Sequence, residues 1–517
     1  MKVATREIVR SIDSITINRY GIPEIVLMEN AGKVTADIIV QEFPESKNIS
    51  IFAGIGNNGG DGFVIARHLM NRGLDVNTCL LTNPIKLKGD SLTNYKILKK
   101  TGGNITELKN TLRNIPQADL IVDAIFGTGL DREVQGFYKK VINYINSNDI
   151  PVISVDLPSG LDANTGSSLG STIKANITAT YVLPKLGMCI HPGIDYCGKV
   201  YVVDITTPKN LENDIPYHFS DFNLVGKLIH KRNSDTHKGT YGHLFVLAGS
   251  TGKSGAAYLA SLGALRSGVG LVTIGVPESI NPTMEIKTTE SMTEPIPETS
   301  NHTFGKESVK PAMGIIRNKK TALAVGPGIS TTKETREFLY KILENSNLPT
   351  VVDADGITLL ANNLSLLKKL KAPIVLTPHP GEMARLIGKD IGFVQANRIE
   401  VATQFSKKYN TYLVLKGSRS LVSTPDGKLY INPTGNPAMA TGGTGDVLTG
   451  VIGGFLAQGY KPDDAAILSV FIHGLAGDIL TEEIGSPGIL ASELANKIPK
   501  TLQNFSKFGI NYFNKLN

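Results

Sequence analysis

One stretch in the second half of the chain places glycines and a carboxylate directly before an apolar helix. Residues 442–446 read Gly-Gly-Thr-Gly-Asp, and the apolar run from Val447 to Leu456 follows at once. Backbone N–H groups of a glycine-rich turn at a helix N-terminus can bind a phosphoryl group in transfer. Asp446 would then be the general base that takes the proton from an attacking hydroxyl. Taken alone, Asp446 could also be only a cap that the helix dipole favours.

Two further residues of this half could contact an anionic substrate. Lys416 follows the apolar run 412–415, and its ammonium group would act as a point charge on a phosphate. A solvated lysine at a strand end has the same sequence context, so that alternative stays open. His379 lies in the segment 377–382, Thr-Pro-His-Pro-Gly-Glu, and could equally be a turn histidine. The Walker pattern GxxxxGK[ST] does not occur in the sequence, so we expect no P-loop.

The first half carries polar residues at the ends of three predicted strands. Segment 54–62, Gly-Ile-Gly-Asn-Asn-Gly-Gly-Asp-Gly, follows a strand and opens a helix, whereas Asp123 and Asp156 each end a β-branched run. Loops after the carboxyl ends of parallel strands gather into one crevice, the usual ligand site. We therefore predict one binding site here. The alternative makes Asp123 and Asp156 helix caps or turn residues, which explains one aspartate easily and three coordinated loops poorly.

The elements that must position these residues alternate between short β-branched runs and helical patterns. The predicted strands are 49–54, 120–127, 152–158, 177–184, 200–205, 243–249, 271–277, 322–328, 350–356, 374–382 and 412–418. The predicted helices include 63–73, 444–458 and 463–482. This alternation predicts βαβ units and mostly parallel sheets, hence an α/β fold.

A polar, turn-rich stretch over 206–240 lacks a sustained period and is the best candidate for a domain boundary. We predict a first domain over 1–215 and a larger one over 220–517. Residues 281–312 contain four prolines and are expected to form a long irregular loop, of the kind that is usually functional or mobile.

Composition narrows the class of protein. The 517 residues carry a net charge of +7, which suits anionic small molecules but is too diffuse to indicate nucleic acid. Cys79, Cys189 and Cys197 lack Cys-x-x-Cys spacing, which argues against a disulfide framework or a zinc site. The sequence shows no signal peptide and no run of 18 consecutive apolar residues. We expect a cytoplasmic homo-oligomer with no nucleic-acid or membrane partner.

Four segments of the first half, in this order, resemble the NAD(P)H-hydrate epimerase family, a Rossmann-like three-layer module. They are NNGGDG at 57–62, VDAIFGTG at 122–129, VDLPSG at 155–160 and YVLPKLG at 181–187. The resemblance covers about residues 1–210. It implies a potassium ion held by Asn58, Asp123 and Ser159, and a catalytic Asp156 that holds the reacting ring. It also implies a set of contacts to the hydrated nicotinamide nucleotide: Asn57, Asn58, Gly59, Gly60, Asp61, Gly127, Thr128, Gly129, Leu130, Asp131, Arg132, Glu133 and Asp156.

The second half resembles the ribokinase-like superfamily, in which the aspartate of the Gly-Thr-Gly-Asp turn activates the acceptor hydroxyl. Segments 237–250, 255–268, 325–328, 353–356, 377–382 and 415–420 make it similar to the ADP/ATP-dependent NAD(P)H-hydrate dehydratases over about 220–510. The resemblance implies ADP or ATP, with a magnesium ion, on Lys416, Gly417, Ser418, Arg419, Ser420 and Gly445. It implies the hydrated cofactor on Ala256, Gly328, His379 and the catalytic Asp446. Asp353 and Asp355 are interpreted as structural turn residues.

In this order the two halves resemble the bifunctional NAD(P)H-hydrate repair enzymes. The resemblance implies that the first domain interconverts the R and S hydrates of NADH and NADPH. The second would dehydrate the S form at the expense of ADP or ATP, giving AMP or ADP and phosphate. Two alternatives stay open: a kinase of a vitamin-precursor alcohol in the second half, and a non-catalytic binding module in the first.

Overall fold

The computed structural model describes residues 1–113 and 115–505 together with the strand Asn514–Leu516. The chain divides into two compact units. The first contains Lys2–Tyr217 and also takes Asn514–Leu516, whereas the second begins at His218. The predicted limits of functional domains, 1–215 and 220–517, stay a prediction, because compactness alone does not show that each part folds or acts independently. The last strand differs from that expectation, since its backbone pairs within the sheet of the first unit.

The first unit is a parallel sheet with helices on both faces. Its strands are β1 Asn48–Ala53, β2 Asp75–Leu80, β3 Asn104–Glu107, β4 Leu120–Ala124, β5 Val152–Val155, β6 Ile177–Tyr181 and β7 Lys199–Val203, with β18 Asn514–Leu516 at one edge. Its helices are α1 Arg6–Asn18, α2 Glu24–Glu42, α3 Asn57–Met70, α4 Gly89–Lys100, α5 Gly136–Asn146 and α6 Ile194–Cys197.

Alternate residues of the central strand β1 belong to different cores. Ile51 packs in the cluster that contains Phe63 of α3, whereas Phe52 packs in the cluster that contains Val141 and Ile142 of α5. Side chains of a strand alternate between the two faces of a sheet, so each face is covered by its own helices and the unit has three layers. The strand order is β7-β6-β5-β4-β1-β2-β3. The order reverses between β1 and β4, and ligands bind at such a switch point.

The second unit is built on a larger mixed sheet in the order β11-β10-β9-β12-β13-β14-β15-β16-β17-β8. Its strands are β8 Tyr217–Phe219, β9 His243–Leu247, β10 Leu271–Pro277, β11 Met292–Ile296, β12 Ala322–Val325, β13 Thr350–Val352, β14 Ile374–Leu376, β15 Tyr412–Leu415, β16 Leu421–Ser423 and β17 Leu429–Ile431. Its helices are α7 Phe222–Gly226, α8 Ser254–Arg266, α9 Asn281–Lys287, α10 Val309–Ile316, α11 Lys333–Asn345, α12 Asp355–Leu360, α13 Pro380–Ile387, α14 Ile391–Ala396, α15 Arg398–Tyr409, α16 Thr444–Ala457, α17 Pro462–Ile484 and α18 Ala491–Gln503. Neighbours from β11 through β15 run parallel, and β15, β16 and β17 form an antiparallel meander. The predicted α/β class is confirmed in both units.

Glycines let helices α8 and α16 approach each other closely. A Cβ on Gly450 would lie 1.9 Å from the carbonyl oxygen of Ala260, and one on Gly263 would lie 2.4 Å from that of Val447. Real Cβ atoms do not come so near a backbone oxygen, so only glycine fits at either position. This contact fixes where α16 begins, and with it the turn that carries Asp446.

The prediction of one irregular loop over 281–312 is wrong. The segment contains α9, the edge strand β11 and the start of α10. Pro282 lies in the first turn of α9 and Pro311 in the first turn of α10, where a missing N–H breaks no helical hydrogen bond. Pro295 lies on an edge strand, the position where a sheet tolerates proline.

Helix α17 is long and apolar enough to cross a membrane, with a mean hydropathy of 1.4 over an 18-residue window. The helix contains no run of 18 consecutive apolar residues, because polar residues such as Ser469, His473 and Asp478 interrupt it. Within the structure 78% of the window is buried. This is weak evidence for a membrane segment, since a helix at the centre of a packed domain has the same composition.

Candidate active sites

The first cleft opens at the switch point between β1 and β4, with a volume of about 510 Å³. Its lining includes most of the predicted substrate contacts: Asn57, Asn58, Asp61, Gly127, Thr128, Gly129, Leu130, Asp131, Arg132 and Asp156. Gly59, Gly60 and Glu133 do not line it. Asp13 and Glu24, from helices α1 and α2, line it as well. The structure thus brings together three of the predicted strand-end loops and adds two helices that the sequence analysis did not include.

Asp156 is held in an unusual conformation at the end of β5. Its φ is 66°, in the left-handed region that costs a non-glycine residue free energy and that clusters at functional sites. One carboxylate oxygen accepts a very short bond from Lys185, and the other accepts a bond from the Thr128 N–H at 3.2 Å. Lys185 is fully buried and also donates to Thr180 Oγ1 at 2.8 Å and to the Tyr181 carbonyl at 3.1 Å. These contacts fix an anionic carboxylate at the cleft wall.

The predicted cation ligands Asp123 and Ser159 lie together behind this wall. Ser159 donates to Asp123 from its hydroxyl at 2.6 Å and from its N–H at 2.9 Å, and Ser154 Oγ donates to the same carboxylate at 2.8 Å. Asp123 is fully buried. Burial raises the pKa of this carboxyl, and the bonds from Ser159 and Ser154 oppose the rise only in part.

Asn58 lies near the same loops. A Cβ on Gly127 would be 3.1 Å from Asn58 Oδ1 and 3.0 Å from Asp156 Oδ2. The Asn58 Nδ2 atom is buried and has no hydrogen-bond partner among the residues described. The nitrogen and the oxygen of a side-chain amide are told apart only by their hydrogen-bond surroundings. A buried amide whose nitrogen has no partner therefore fits a site in which the amide is turned over and its oxygen faces a cation. Amide, carboxylate and hydroxyl oxygens suit a hard cation.

The second cleft lies where α8 and α16 begin and has a volume of about 420 Å³. Its lining contains three of the predicted cofactor contacts, Ala256, Gly328 and Asp446. Burial raises the pKa of Asp446 to about 6, and the nearby carboxylate of Asp353 adds to the rise. A carboxylate with such a pKa is ionised at neutral pH and is a stronger base than an ordinary aspartate.

Lys416 forms a buried ion pair beside this turn. Its Nζ lies 2.8 Å from Asp353 Oδ1, and Thr449 Oγ1 of helix α16 donates to the other oxygen of Asp353 at 2.7 Å. Burial lowers the pKa of Lys416, but the carboxylates of Asp353 and Glu382 outweigh it and the pKa is raised. A Cβ on Gly445 would lie 3.5 Å from Lys416 Nζ. The predicted nucleotide ligands Lys416 and Gly445 therefore adjoin each other.

The rest of the predicted nucleotide segment, Gly417 to Ser420, forms a tight turn after β15. Ser420 Oγ donates to the Gly417 carbonyl at 2.9 Å, and Arg419 donates to the Pro433 carbonyl at 2.9 Å. The buried guanidinium of Arg398 lies beneath the turn and donates to the Arg419 carbonyl at 3.2 Å. Burial lowers the pKa of Arg398 to about 10. No motif in the sequence pointed to Arg398.

His379 stands at the N-cap of α13 and is not part of the second cleft's lining. Its Nδ1 accepts bonds from the N–H groups of Gly381 at 3.0 Å and Glu382 at 3.3 Å. Partial burial, followed by the charge of Lys416, lowers its pKa. Its Nε2 lies 3.5 Å from Glu382 Oε1, and its assignment to the hydrated cofactor stays a prediction.

Sequence reasoning missed Lys185, Asp353, Asp355, Asp13 and Glu24. Lys185 lies in segment 181–187, which carried part of the resemblance, yet it received no role. Asp353 and Asp355 were interpreted as turn residues, but Asp353 pairs with Lys416 and Asp355 pairs with Lys253 at 2.9 Å. Asp13 and Glu24 lie on helices without a motif, so no local signal could have placed them in the cleft.

Known families match both halves of the chain. Residues 244–500 match the family model described as NAD(P)H-hydrate dehydratase, and residues 24–187 match the model described as YjeF-related protein N-terminus. The bifunctional NAD(P)H-hydrate repair enzyme Nnr of Moorella thermoacetica is 40% identical over 98% of this chain and 98% of its own length. The chain belongs to the family of bifunctional NAD(P)H-hydrate repair enzymes.

The chain is also similar to a second repair enzyme over nearly its whole length and to one solved structure over part of its length. The NAD(P)H-hydrate repair enzyme Nnr of Thermofilum pendens is 38% identical, with 97% of this chain and 96% of its own length covered. The ADP/ATP-dependent NAD(P)H-hydrate dehydratase of Bacillus subtilis, co-crystallised with ATP and Mg²⁺, is 33% identical with a TM-score of 0.49, covering 56% of this chain and 98% of its own. The fold of this NAD(P)H-hydrate repair family member is a three-layer unit with a parallel sheet and a larger α/β unit with a mixed sheet.

Proposed function

We propose that the chain repairs hydrated nicotinamide cofactors by two reactions, one in each unit. The observation that supports this most directly is its similarity over nearly its whole length to bifunctional NAD(P)H-hydrate repair enzymes. The first unit epimerises R- and S-NADHX and R- and S-NADPHX. The second unit dehydrates the S form at the expense of ADP or ATP, giving NADH or NADPH, AMP or ADP, and phosphate.

The second cleft supplies groups that suit phosphoryl transfer to an alcohol. Asp446 takes the proton of the substrate hydroxyl, and Lys416 neutralises charge on the nucleotide phosphates. The N–H groups of the turn before Val447 stabilise the group in transfer. Phosphate is then a good leaving group, and the lone pair of the ring nitrogen drives its departure. Loss of a ring proton restores the double bond.

Magnesium fits this site as part of the nucleotide complex. Over the described ranges no cluster of three or more His, Cys, Asp or Glu side chains could hold a metal ion. Magnesium is commonly bound through substrate phosphates and one or two carboxylates. We therefore propose that ADP or ATP brings the ion, with Lys416, Gly417, Ser418, Arg419, Ser420 and Gly445 around the nucleotide.

In the first cleft Asp156 holds the reacting ring, and the loops 57–61 and 127–133 hold the rest of the nucleotide. A potassium ion on Asn58, Asp123 and Ser159 would neutralise the buried carboxylate of Asp123 and fix these loops. The unpartnered Asn58 amide and the oxygen-rich surroundings of Asp123 support that assignment. A cytoplasmic location and a homo-oligomeric state stay predictions.

A product assay tests the function as a whole. The protein is incubated with mixed R and S hydrated NADH and either ADP or ATP, and recovery of the dihydropyridine absorbance is followed. We expect near-complete recovery with release of free phosphate. A phosphorylated organic product without recovery of NADH would instead identify a kinase of an alcohol. Absence of epimerisation would leave the first unit as a binding module.

A further inference from the structure

The first cleft contains a carboxyl group without a partner. Asp61 lies in the first turns of α3 and is only 8% exposed. Its carboxyl group receives no hydrogen bond or ion pair from any residue that the structure describes. A buried carboxylate without donors is costly, so this position favours the neutral acid.

The neighbours of Asp61 make ionisation there harder still. Asp156 and Asp13 lie close enough to act on it electrostatically. The buried ammonium group of Lys185 donates to Asp156, Thr180 and Tyr181. Burial, and then the charges of Asp156, Asp13 and Glu24, raise the pKa of Asp61 well above its ordinary value. Tyr181 is neutral as well, because burial raises its pKa well above the ordinary value.

The cleft therefore holds two carboxyl groups in different states. Asp156 accepts bonds from Lys185 and from the Thr128 N–H, whereas no residue that the structure describes donates a hydrogen bond to the Asp61 carboxyl. A buried carboxyl without donors beside a carboxylate that is paired with a lysine is the pattern of an acid–base pair. We infer that Asp61 is the proton donor, and Asp156 the acceptor, in the epimerase reaction; this inference rests on the proposed function.

The reaction balances with these two groups and water. The substrate hydroxyl is attached to the carbon next to the ring nitrogen. Asp61 gives its proton to the hydroxyl oxygen, the C–O bond breaks, and the nitrogen lone pair forms a C=N⁺ bond as water leaves. A water molecule adds to the opposite face, the π electrons return to nitrogen, and Asp156 takes the proton of the added water. Proton transfer from Asp156 to Asp61 restores the starting state.

The test is the variant Asp61→Asn, assayed on one purified epimer without nucleotide. We expect kcat for epimerisation to fall by about 10²–10⁴-fold with KM within about threefold of wild type, because the amide keeps the shape and loses the acid. Dehydration of the S form with ADP reports that the other unit is intact, and thermal unfolding of the variant reports whether the first unit is folded. Asp75→Asn is the matched control, since Asp75 is exposed and lies outside the cleft.

A second measurement does not depend on that variant. An acid that must be protonated gives a wild-type kcat that declines as pH rises through its pKa. Asp13→Asn removes one of the charges that raise the pKa of Asp61, so the decline should move to lower pH. Glu24, Tyr181, Asp131, Arg10 and Arg132 also line the cleft, and Asp13→Asn leaves all of them in place.

The outcomes separate the inference from the function. Active wild type with an Asp61→Asn kcat within about threefold of it, or with a change confined to KM, overturns the role of Asp61. A wild-type profile without a decline, or one that Asp13→Asn leaves in place, does so too. A wild type that does not epimerise at all overturns the proposed function of the first unit and, with it, this inference.

Discussion

The variant Asp446→Asn separates a general base from a helix cap by measuring two quantities at once. If Asp446 is the base, nucleotide-dependent dehydration should fall by about 10²–10⁴-fold, which corresponds to about 3–5 kcal/mol of transition-state stabilisation. Epimerisation in the first unit should persist. If Asp446 were only a dipole-favoured cap, activity would remain and stability would fall by about 0.3–1 kcal/mol.

The structure also predicts the sign of the stability change. The pKa of Asp446 rises on folding from 3.8 to about 6, so its ionisation is less favourable in the folded chain than in the unfolded one. At a pH where the carboxyl is ionised in both states, this difference destabilises the native state. At neutral pH the cost is about 3 kcal/mol at most, and less because the group is not fully buried. It appears as pH rises from about 4 to 6 and is absent below that window. Asparagine removes it, so Asp446→Asn should unfold at the same temperature as wild type or at a higher one.

The assay follows absorbance recovery from purified S-hydrate with ADP or ATP, alongside thermal unfolding. The wild-type kcat/KM should rise with pH through about 6, because the base acts as its anion. Asp463→Asn is the matched control, since Asp463 is also acidic in the first turn of a helix, α17, but lies outside the second cleft. Dehydration within about tenfold of wild type in Asp446→Asn would refute the reasoning.

Three further predictions use other parts of the molecule. Asp123→Ala should slow epimerisation, so that mixed hydrates with ADP recover in a fast phase and a much slower remainder, measured early and near neutral pH; a time course identical to wild type would contradict the epimerase assignment. Lys416→Ala should raise KM for ADP or ATP more than KM for the hydrate, and steady-state kinetics with an unchanged nucleotide KM would place the nucleotide elsewhere. Gly450→Ala should destabilise the second unit by about 1–3 kcal/mol, because its Cβ would meet the Ala260 carbonyl oxygen at 1.9 Å; chemical denaturation checks this, and an unchanged midpoint would show that the helices separate without cost.

The sequence predicted the class of fold because it depends on patterns that recur over many residues. Alternation of apolar strands and helical runs indicated parallel sheets, and the polar strand ends at Asp123 and Asp156 indicated where a site would form. Proline misled the analysis over 281–312, since its effect depends on whether it begins a helix or lies on an edge strand. Only the folded chain shows whether a given proline begins a helix or lies on an edge strand.

The ion pairs could not be predicted from the sequence for a different reason. Lys185 reaches Asp156 because the backbone turns sharply after β5 and β6, with left-handed residues at Asp156 and Val182. Asp353 and Lys416 are 63 positions apart, and no local pattern indicates which lysine a buried aspartate will find. Motifs therefore indicated which residues could react, whereas the tertiary structure was needed to find the groups that set their ionisation.

The close contact between α8 and α16 has an electrostatic consequence. Both helices begin at the second cleft, and the positive end of a helix is equivalent to roughly half an elementary charge. Two such ends give about one positive charge that belongs to peptide groups and carries no titratable proton. A phosphoryl group beside Asp446 is therefore attracted by a charge that neither pH nor the mutation of a side chain can remove. The glycines at 263 and 450 bring the two positive helix ends together, because they let the two helices lie near enough to share one cleft.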